Sequence, residues 1–506
     1  MSAALPQIII RPRRSVIVWL LPVQAVCAFT IWAVINGGQW LRSWLLGAIM
    51  FVMALPLLLS LDASLIAMMM FEPLRGFLRR AQYLIVPYSQ TDPIHILTPV
   101  VTIAALAVLL RNQRLHIFRA TTLAPLVSLL AAIFFLEIFN PLQGGIVVGL
   151  SGALLLLVPV AWFFFGQFVD ERFITVALRL IVLLALVTSL YGIYQLTFGY
   201  PRFEQYWLDN VEFYNALAVG HVKRAVATFT SAEEWGRYTV LGALISFGFA
   251  VGAYRLLQRV GWFLCGTSLS ILLLLTGQLT AIFGLVLGFM VLVLSGARSL
   301  RGVAARLLVL LLPLLLVAVL VKPPSEEEMW SKEETETVET LLSHAQRGAL
   351  QPTEEQSLYV RLKIWQDLIT NVIPYRPLGT GLGAGSLSAL KFASGPQLPN
   401  SDNFVLVLAV ACGIPGALLF LWILLRANLL AFRATRRAPP GTRAATLSRI
   451  VAALFSVFFL NSIFGLTFSL YAVAPIAWLL IGWTSAKASA KESRARETNS
   501  LAAEIE

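Results

Sequence analysis

The chain has 506 residues, of which 58% are hydrophobic and 13% charged, about half the charged fraction of an ordinary soluble domain. This excludes a water-soluble globule, because the apolar residues exceed what one core can hide and lipid must solvate the rest. The formal charge of +12 would suit a nucleic-acid binder, but the cations are spread as topology signals along an all-α polytopic membrane protein.

Apolar runs able to cross roughly 30 Å of hydrocarbon occur near 15–35, 43–59, 60–72, 93–110, 121–139, 145–165, 174–196, 236–254, 259–275, 278–295, 304–321, 402–426, 449–466 and 468–484. They predict about 14 transmembrane helices, in a range of 12–14, because helices satisfy their own backbone groups in lipid. Between 54 and 70 only Asp62 interrupts the apolar sequence, so the second and third runs read as two helices or as one long kinked helix. The first run follows Arg11, Arg13 and Arg14. It resembles a secretory signal but is too long and lacks a small-x-small site, so it reads as an uncleaved helix. Cys27, Cys265 and Cys412 all fall inside predicted spans and read as packing residues.

With the N-terminus inside, 22 of the 38 Lys and Arg residues lie in inside segments. Short outside loops hold four, Arg42, Arg75, Arg79 and Arg80. This predicts N-in, C-in topology. The trio at 75–80 is the exception, either an error of topology or a basic patch facing the outer headgroups. Five regions follow: membrane helices 1–92; membrane helices 93–321, interrupted by an outer segment 197–235; a large outer loop 322–401; membrane helices 402–484; and a basic, polar tail 485–506. Long outer segments with structure of their own usually carry function.

The first outer segment brings Gln195, Lys223 and Arg224 to the membrane surface, where arginine can grip phosphate oxygens bidentately. A snorkelling arginine is the alternative. In the large loop, the Glu-rich stretch 326–339 reads as a solvated lobe. Leu358, Leu362, Trp365, Ile369 and Val372 then recur at helical spacing, predicting an amphipathic helix with Arg361 and Asp367 off its apolar stripe. Gly379, Gly381, Gly383 and Gly385 alternate in a turn that could aim N–H groups at phosphate or simply bend the chain. Asp402 and Asn403 stand at the mouth of the next helix, where a helix cap is the structural alternative to a chemical role. The chain has no D-x-D and no His/Cys cluster, so neither a metal nor a cofactor is expected.

In chain order these are Gly192-x-x-Gln195, Arg224-x-x-x-Thr228-Phe229, Leu275-Thr276, Arg361-x-x-x-Trp365, Pro377-Leu378-Gly379-x-Gly381-x-Gly383, Asp402-Asn403-x-Phe404 and Gly413-x-x-Gly416. The series resembles the O-antigen ligase and O-antigen polymerase superfamily of bacterial inner-membrane glycosyltransferases, over about 140–480. The resemblance implies many helices, a large periplasmic loop before the last three, and a donor glycan on undecaprenyl pyrophosphate. It further implies a metal-independent, inverting transfer to an acceptor glycan, a co-polymerase as a possible partner, and no nucleic acid.

The expected site has Arg224 binding pyrophosphate with Lys223 and Arg361, and Asp402 deprotonating the acceptor hydroxyl. Asn403 would hold substrate or Asp402, Gln195 would lie among the substrate contacts, and Gly379, Gly381 and Gly383 would pack the loop over the site. Two departures matter. Ligases of the family typically carry His-Asn where this chain has Asp402-Asn403, and an arginine in a Thr-x-Ser-Arg pattern where it reads Thr276-Gly277-Gln278-Leu279. Both favour a polymerase of O-antigen or exopolysaccharide repeat units over a ligase acting on lipid A core. A lipid-linked oligosaccharide flippase is the rival from another class. Transporters bury ionisable residues near the midplane, whereas here Asp62 is the main candidate for a mid-span charge and the polar residues of interest cluster in the outer segments.

Overall fold

The computed structural model describes residues 40–84, 86, 89, 92–211, 218–219, 222–295, 356–384 and 401–505. The predicted runs at 15–35 and 304–321, the Glu-rich stretch and Gly385 lie outside them. Among the described residues, six helices are long and apolar enough to cross a membrane, and three shorter apolar helices accompany them. The only strands among the described residues are a two-residue antiparallel pair, β1 (Ala218–Val219) with β2 (Val222–Lys223).

The N-terminal part resolves the ambiguity around 54–70. Helix α1 (Trp40–Leu59) stops at Ser60, whose extended backbone and side-chain oxygen, 3.0 Å from the Ala63 amide, cap α2 (Leu61–Phe71). Two helices therefore form. The 11 residues of α2 are followed without a break by further helical backbone, so the run expected at 60–72 is part of a longer helical stretch. A 3-10 turn at Glu72–Leu74 leads into α3 (Arg75–Ala81). Arg75, Arg79 and Arg80 are all buried. They do not form an exposed basic patch, because acidic partners take them into the protein interior.

Next come α4 (Leu97–Gln113), α5 (Ala124–Glu137), α6 (Ile146–Gly166), α7 (Glu171–Phe198) and the short α8 (Arg202–Asn210). After the β pair, α9 (Ala232–Gly252) is the central helix, packed against α7, α10 (Leu256–Leu274), α11 (Leu279–Leu294) and α14 (Arg443–Ile463). It is buried around its whole circumference, so polar groups in its first turns are held inside protein. The final helix, α15 (Ala474–Ile505), packs on α6.

Helix α12 (Gln356–Asp367), in the segment expected as an outer loop, continues into a π turn at Leu368–Val372. Leu368 is buried, while Leu362 and Ile369, expected on the inner stripe, are exposed. The inward positions are Arg361, Trp365 and Leu368, so Arg361 faces the protein. An exposed apolar stripe of this kind is tolerated where lipid, not water, lies outside.

Helix α13 (Phe404–Arg437) is broken at Gly413, with φ 72° and ψ 177°, a region that essentially only glycine occupies. The turn 376–384 wedges in beside the break. The Ile414 amide donates to the Pro377 carbonyl at 2.9 Å, and the Thr380 and Gly381 amides donate to the carbonyls of Val410 and Ala411 at 2.8 and 3.1 Å. A Cβ at 413 would lie 2.3 Å from the Pro377 oxygen. Gly413→Ala is therefore expected to destabilise the folded protein by roughly 1–3 kcal/mol from backbone strain alone, read as a lower midpoint of thermal unfolding in detergent. An unchanged midpoint would mean that the break relaxes at no cost.

Candidate active site

The turn that carries Arg224 is built from three directions. Gln195, near the end of α7, accepts the Val226 and Ala227 amides at 3.2 and 2.7 Å, and its own amide donates to the Ala227 carbonyl at 3.1 Å and to Glu204 at 2.9 Å. Arg80 of α3 donates to the carbonyls of Ala227 and Phe229, each at 2.5 Å, and pairs with Glu204 at 2.7 Å. Thr228 donates to the Pro73 carbonyl at 2.6 Å, and its own carbonyl accepts the Phe77 amide at 2.7 Å. Gly76 permits this approach, since a Cβ there would lie 2.3 Å from the Phe229 carbonyl carbon.

Ala227 is held at φ 50°, a left-handed conformation uncommon for a residue with a side chain, which these bonds sustain. Arg224 itself is half-buried, with its carbonyl accepting the Tyr200 hydroxyl. Lys223 is the β2 residue opposite Ala218. Gln195, expected among the substrate contacts, is instead buried with its amide committed to the turn. A side chain already making four hydrogen bonds to protein has little left for a ligand, so Gln195 positions Arg224.

The second part of the site centres on Asp402, two residues ahead of α13. Its Oδ2 lies 2.8 Å from Arg361 Nε, and the two side chains are 42% and 41% exposed. The helix cap falls to Asn403, whose Oδ1 accepts the Leu406 amide at 3.0 Å. Asp402 is thereby left free for chemistry. Beside the pair, Arg237 of α9 reaches outward beneath the surface. Its Nη2 contacts Glu233 Oε1 at 3.3 Å, Thr280 Oγ1 at 2.9 Å and the Phe464 carbonyl at 3.3 Å. Trp365 packs on Phe464 with ring centroids 6.1 Å apart, and its buried Nε1 has no acceptor among the described residues. Neither Glu233 nor Arg237 is among the residues that the sequence analysis singles out, because both sit at the edge of an apolar run.

Burial pushes the Asp402 carboxyl above its ordinary value, while Arg361 draws it back down; Glu233 raises it and Arg237 lowers it. If the carboxylate is the active form, activity falls as pH drops through this raised value, at a higher pH than for an exposed aspartate. Replacing Arg361 with Gln removes a lowering influence, so the acid limb of the rate at saturating donor is expected to move further up. A limb that stays put or moves down would separate Asp402 from the rate.

The glycine turn does different work from a phosphate cradle. The Gly379, Gly381 and Gly383 amides donate to Arg376 O, Ala411 O and Gln143 Oε1 at 3.0, 3.1 and 3.1 Å. A Cβ at 383 would stand 2.0 Å from the Val148 carbonyl oxygen. These glycines pack the loop into α6 and the broken α13, and so help fix the approach to Asp402 without offering N–H groups to a ligand. No group of three or more metal-ligating side chains occurs among the described residues.

Residues 263–421 match the family model described as O-antigen ligase. The match covers about a third of the chain and includes Arg361, the glycine turn, Asp402 and Gly413, whereas Arg224, Glu233 and Arg237 precede it. No curated protein matches the chain at a significant level.

Proposed function

We propose that the protein is a membrane glycosyltransferase that polymerises O-antigen or exopolysaccharide repeat units on the periplasmic face of a bacterial inner membrane, a reading supported by the match of residues 263–421 to the family model described as O-antigen ligase. The donor in this reading is linked to undecaprenyl pyrophosphate. The observation that carries it is the Arg361–Asp402 pair, 2.8 Å apart and open at the mouth of α13. It sets a guanidinium for phosphate beside a carboxylate for a proton.

In the proposed reaction an acceptor sugar hydroxyl attacks the donor's anomeric carbon from the face opposite the pyrophosphate. The new carbon–oxygen bond forms as the bond to the phosphate oxygen breaks, with inversion. The hydroxyl proton passes to Asp402, and undecaprenyl pyrophosphate departs with the bonding electrons. A leaving group already stable as an anion needs charge stabilisation more than a general acid, so one base suffices. The chemistry written here uses no metal. Arg224, with Lys223 beside it in sequence, holds the pyrophosphate. Arg361 joins them when phosphate draws it away from Asp402.

The match to a family model described as O-antigen ligase favours a second reading, ligation of the glycan to lipid A core, while Asp402-Asn403 and the Thr276–Leu279 sequence favour polymerisation. Incubating the purified protein with a lipid-linked repeat unit separates them. A ladder of products supports polymerisation, transfer to an added lipid A core supports ligation, and movement across vesicles without new bonds supports a flippase. Full-length polymer from a normally expressed Arg224→Ala variant would remove Arg224 from the donor site.

A further inference from the structure

We propose that Arg237 is the fixed counter-charge of Asp402, a positioning residue that keeps this carboxyl ionised after Arg361 has been drawn off by the donor phosphate. The proposal deepens the reading of Asp402 as the base and rests on that reading for its catalytic meaning.

The two arginines near Asp402 differ in freedom. Arg361 comes from the outer loop, and its side chain is 41% exposed, so an incoming anion can take it. Arg237 is buried on the central helix and is held by Glu233, Thr280 and the Phe464 carbonyl. Its Nε and Nη1 are buried without a partner among the described residues. A buried guanidinium left partly unsatisfied does not improve stability over an apolar side chain of similar volume, so packing gives no account of it. Its field does, because a charge in a poorly solvated site acts strongly on its neighbours.

The backbone ties this charge to the base. Gly465 leaves the space that the guanidinium fills, since a Cβ there would fall 1.9 Å from Nη2 and 3.0 Å from Glu233 Oε1. The carbonyl of the same glycine accepts the Phe404 amide at 3.2 Å, two residues beyond Asp402. The charged groups acting on Asp402 are Arg361 from α12 and Glu233 and Arg237 from α9. Once Arg361 leaves, Arg237 is the one cation of this set, opposed to Glu233 and Asp402 together. Without it, two carboxylates would share the site, and one would hold a proton.

The test is carbodiimide labelling of Asp402 against pH, followed by mass spectrometry on the full chain in detergent. The reagent reacts with the protonated carboxyl, so the labelling midpoint reports proton affinity with no need for activity. Arg361→Gln serves as the background that mimics the donor-engaged state. Adding Arg237→Gln is expected to raise the midpoint by about one pH unit, or roughly tenfold in labelling rate at a fixed pH above it. Adding Arg237→Lys should leave the midpoint near that of the background. Gly465→Ala, which displaces the guanidinium without removing it, should raise the midpoint too, and it stands in if Arg237→Gln does not fold.

A midpoint that stays in place in a folded Arg237→Gln or Gly465→Ala protein overturns the proposal, as does an Arg237→Lys midpoint as high as that of Gln. Polymer made by an Asp402→Ala variant would remove the catalytic reading alone, and a shifted midpoint would still establish Arg237 as the group that sets this charge.

Discussion

Asp402→Ala is expected to slow glycan transfer by roughly 10²–10⁴-fold, the range usual for loss of a positioned general base, while donor binding changes little. The argument is geometric. Asp402 is the carboxylate at the start of α13 that the helix cap does not consume, and it is paired at 2.8 Å with a half-exposed arginine. Asp402→Asn separates base from anchor, because the amide can keep a polar contact in the same place but cannot accept a proton. Single-turnover rates with a lipid-linked donor should therefore be low for both variants and partly retained for Asp402→Glu. An Asn variant as fast as the unmodified protein would reduce Asp402 to an orienting role.

Arg80→Ala is expected to have the largest effect on stability. Arg80 and Glu204 have side chains 1% and 0% exposed and lie 2.7 Å apart. Removing one partner leaves a buried carboxylate without its cation, at a cost of about 3–5 kcal/mol, and strips two carbonyls of the turn of their donor. Unfolding in detergent should show a markedly lower midpoint. The damage should extend to function, since this turn presents Arg224. Replacing both partners together, Arg80→Met with Glu204→Leu, should recover much of the loss by leaving no buried charge behind. A double variant no more stable than Arg80→Ala would show that the carbonyl contacts, not the ion pair, carry the effect.

Much of the bundle was legible because lipid imposes simple requirements. The run predicted at 145–165 appears as Ile146–Gly166, and that at 174–196 lies within Glu171–Phe198, each following a turn capped by a polar residue or glycine. Asp402 and Arg361 stand out in the sequence because charge is rare in this chain, Arg361 lying in the long loop and Asp402 at the very start of the run 402–426. Other features were hidden for physical reasons. Ser60 breaks a helix with one hydroxyl, which hydropathy cannot register. The inward positions of α12, Arg361, Trp365 and Leu368, keep ordinary helical spacing but fall one residue ahead of Leu362 and Ile369, so the apolar stripe of the sequence does not mark the face that meets the protein. Arg237 sits where a lone cation at the end of an apolar run ordinarily reads as snorkelling. One signal was available: Ser231 accepts the Glu234 amide at 3.2 Å, and Ser-x-x-Glu is the sequence of a helix start. That start lies ahead of the predicted run at 236 and places Arg237 inside the bundle.

The two acidic residues at the start of α9 point in different directions. Glu233 meets Arg237 and the Leu466 amide beside Asp402, at 3.3 and 3.4 Å. Glu234 accepts the Ala472 amide at 3.2 Å and lies 3.7 Å from Arg75, which also contacts Glu72 and His95. This adjacent pair makes the family-matched region dependent on parts of the chain that the match does not include. A chimera that received only residues 263–421 from this protein would carry Asp402, the proposed base, and its exposed arginine but would have to find both the buried cation and its bracing in the host sequence. Transplanting activity should therefore require the segments around 72–95 and 195–237 to travel with the domain, and the smallest unit that can be exchanged between relatives is set by these ionic ties, not by the boundary of the family.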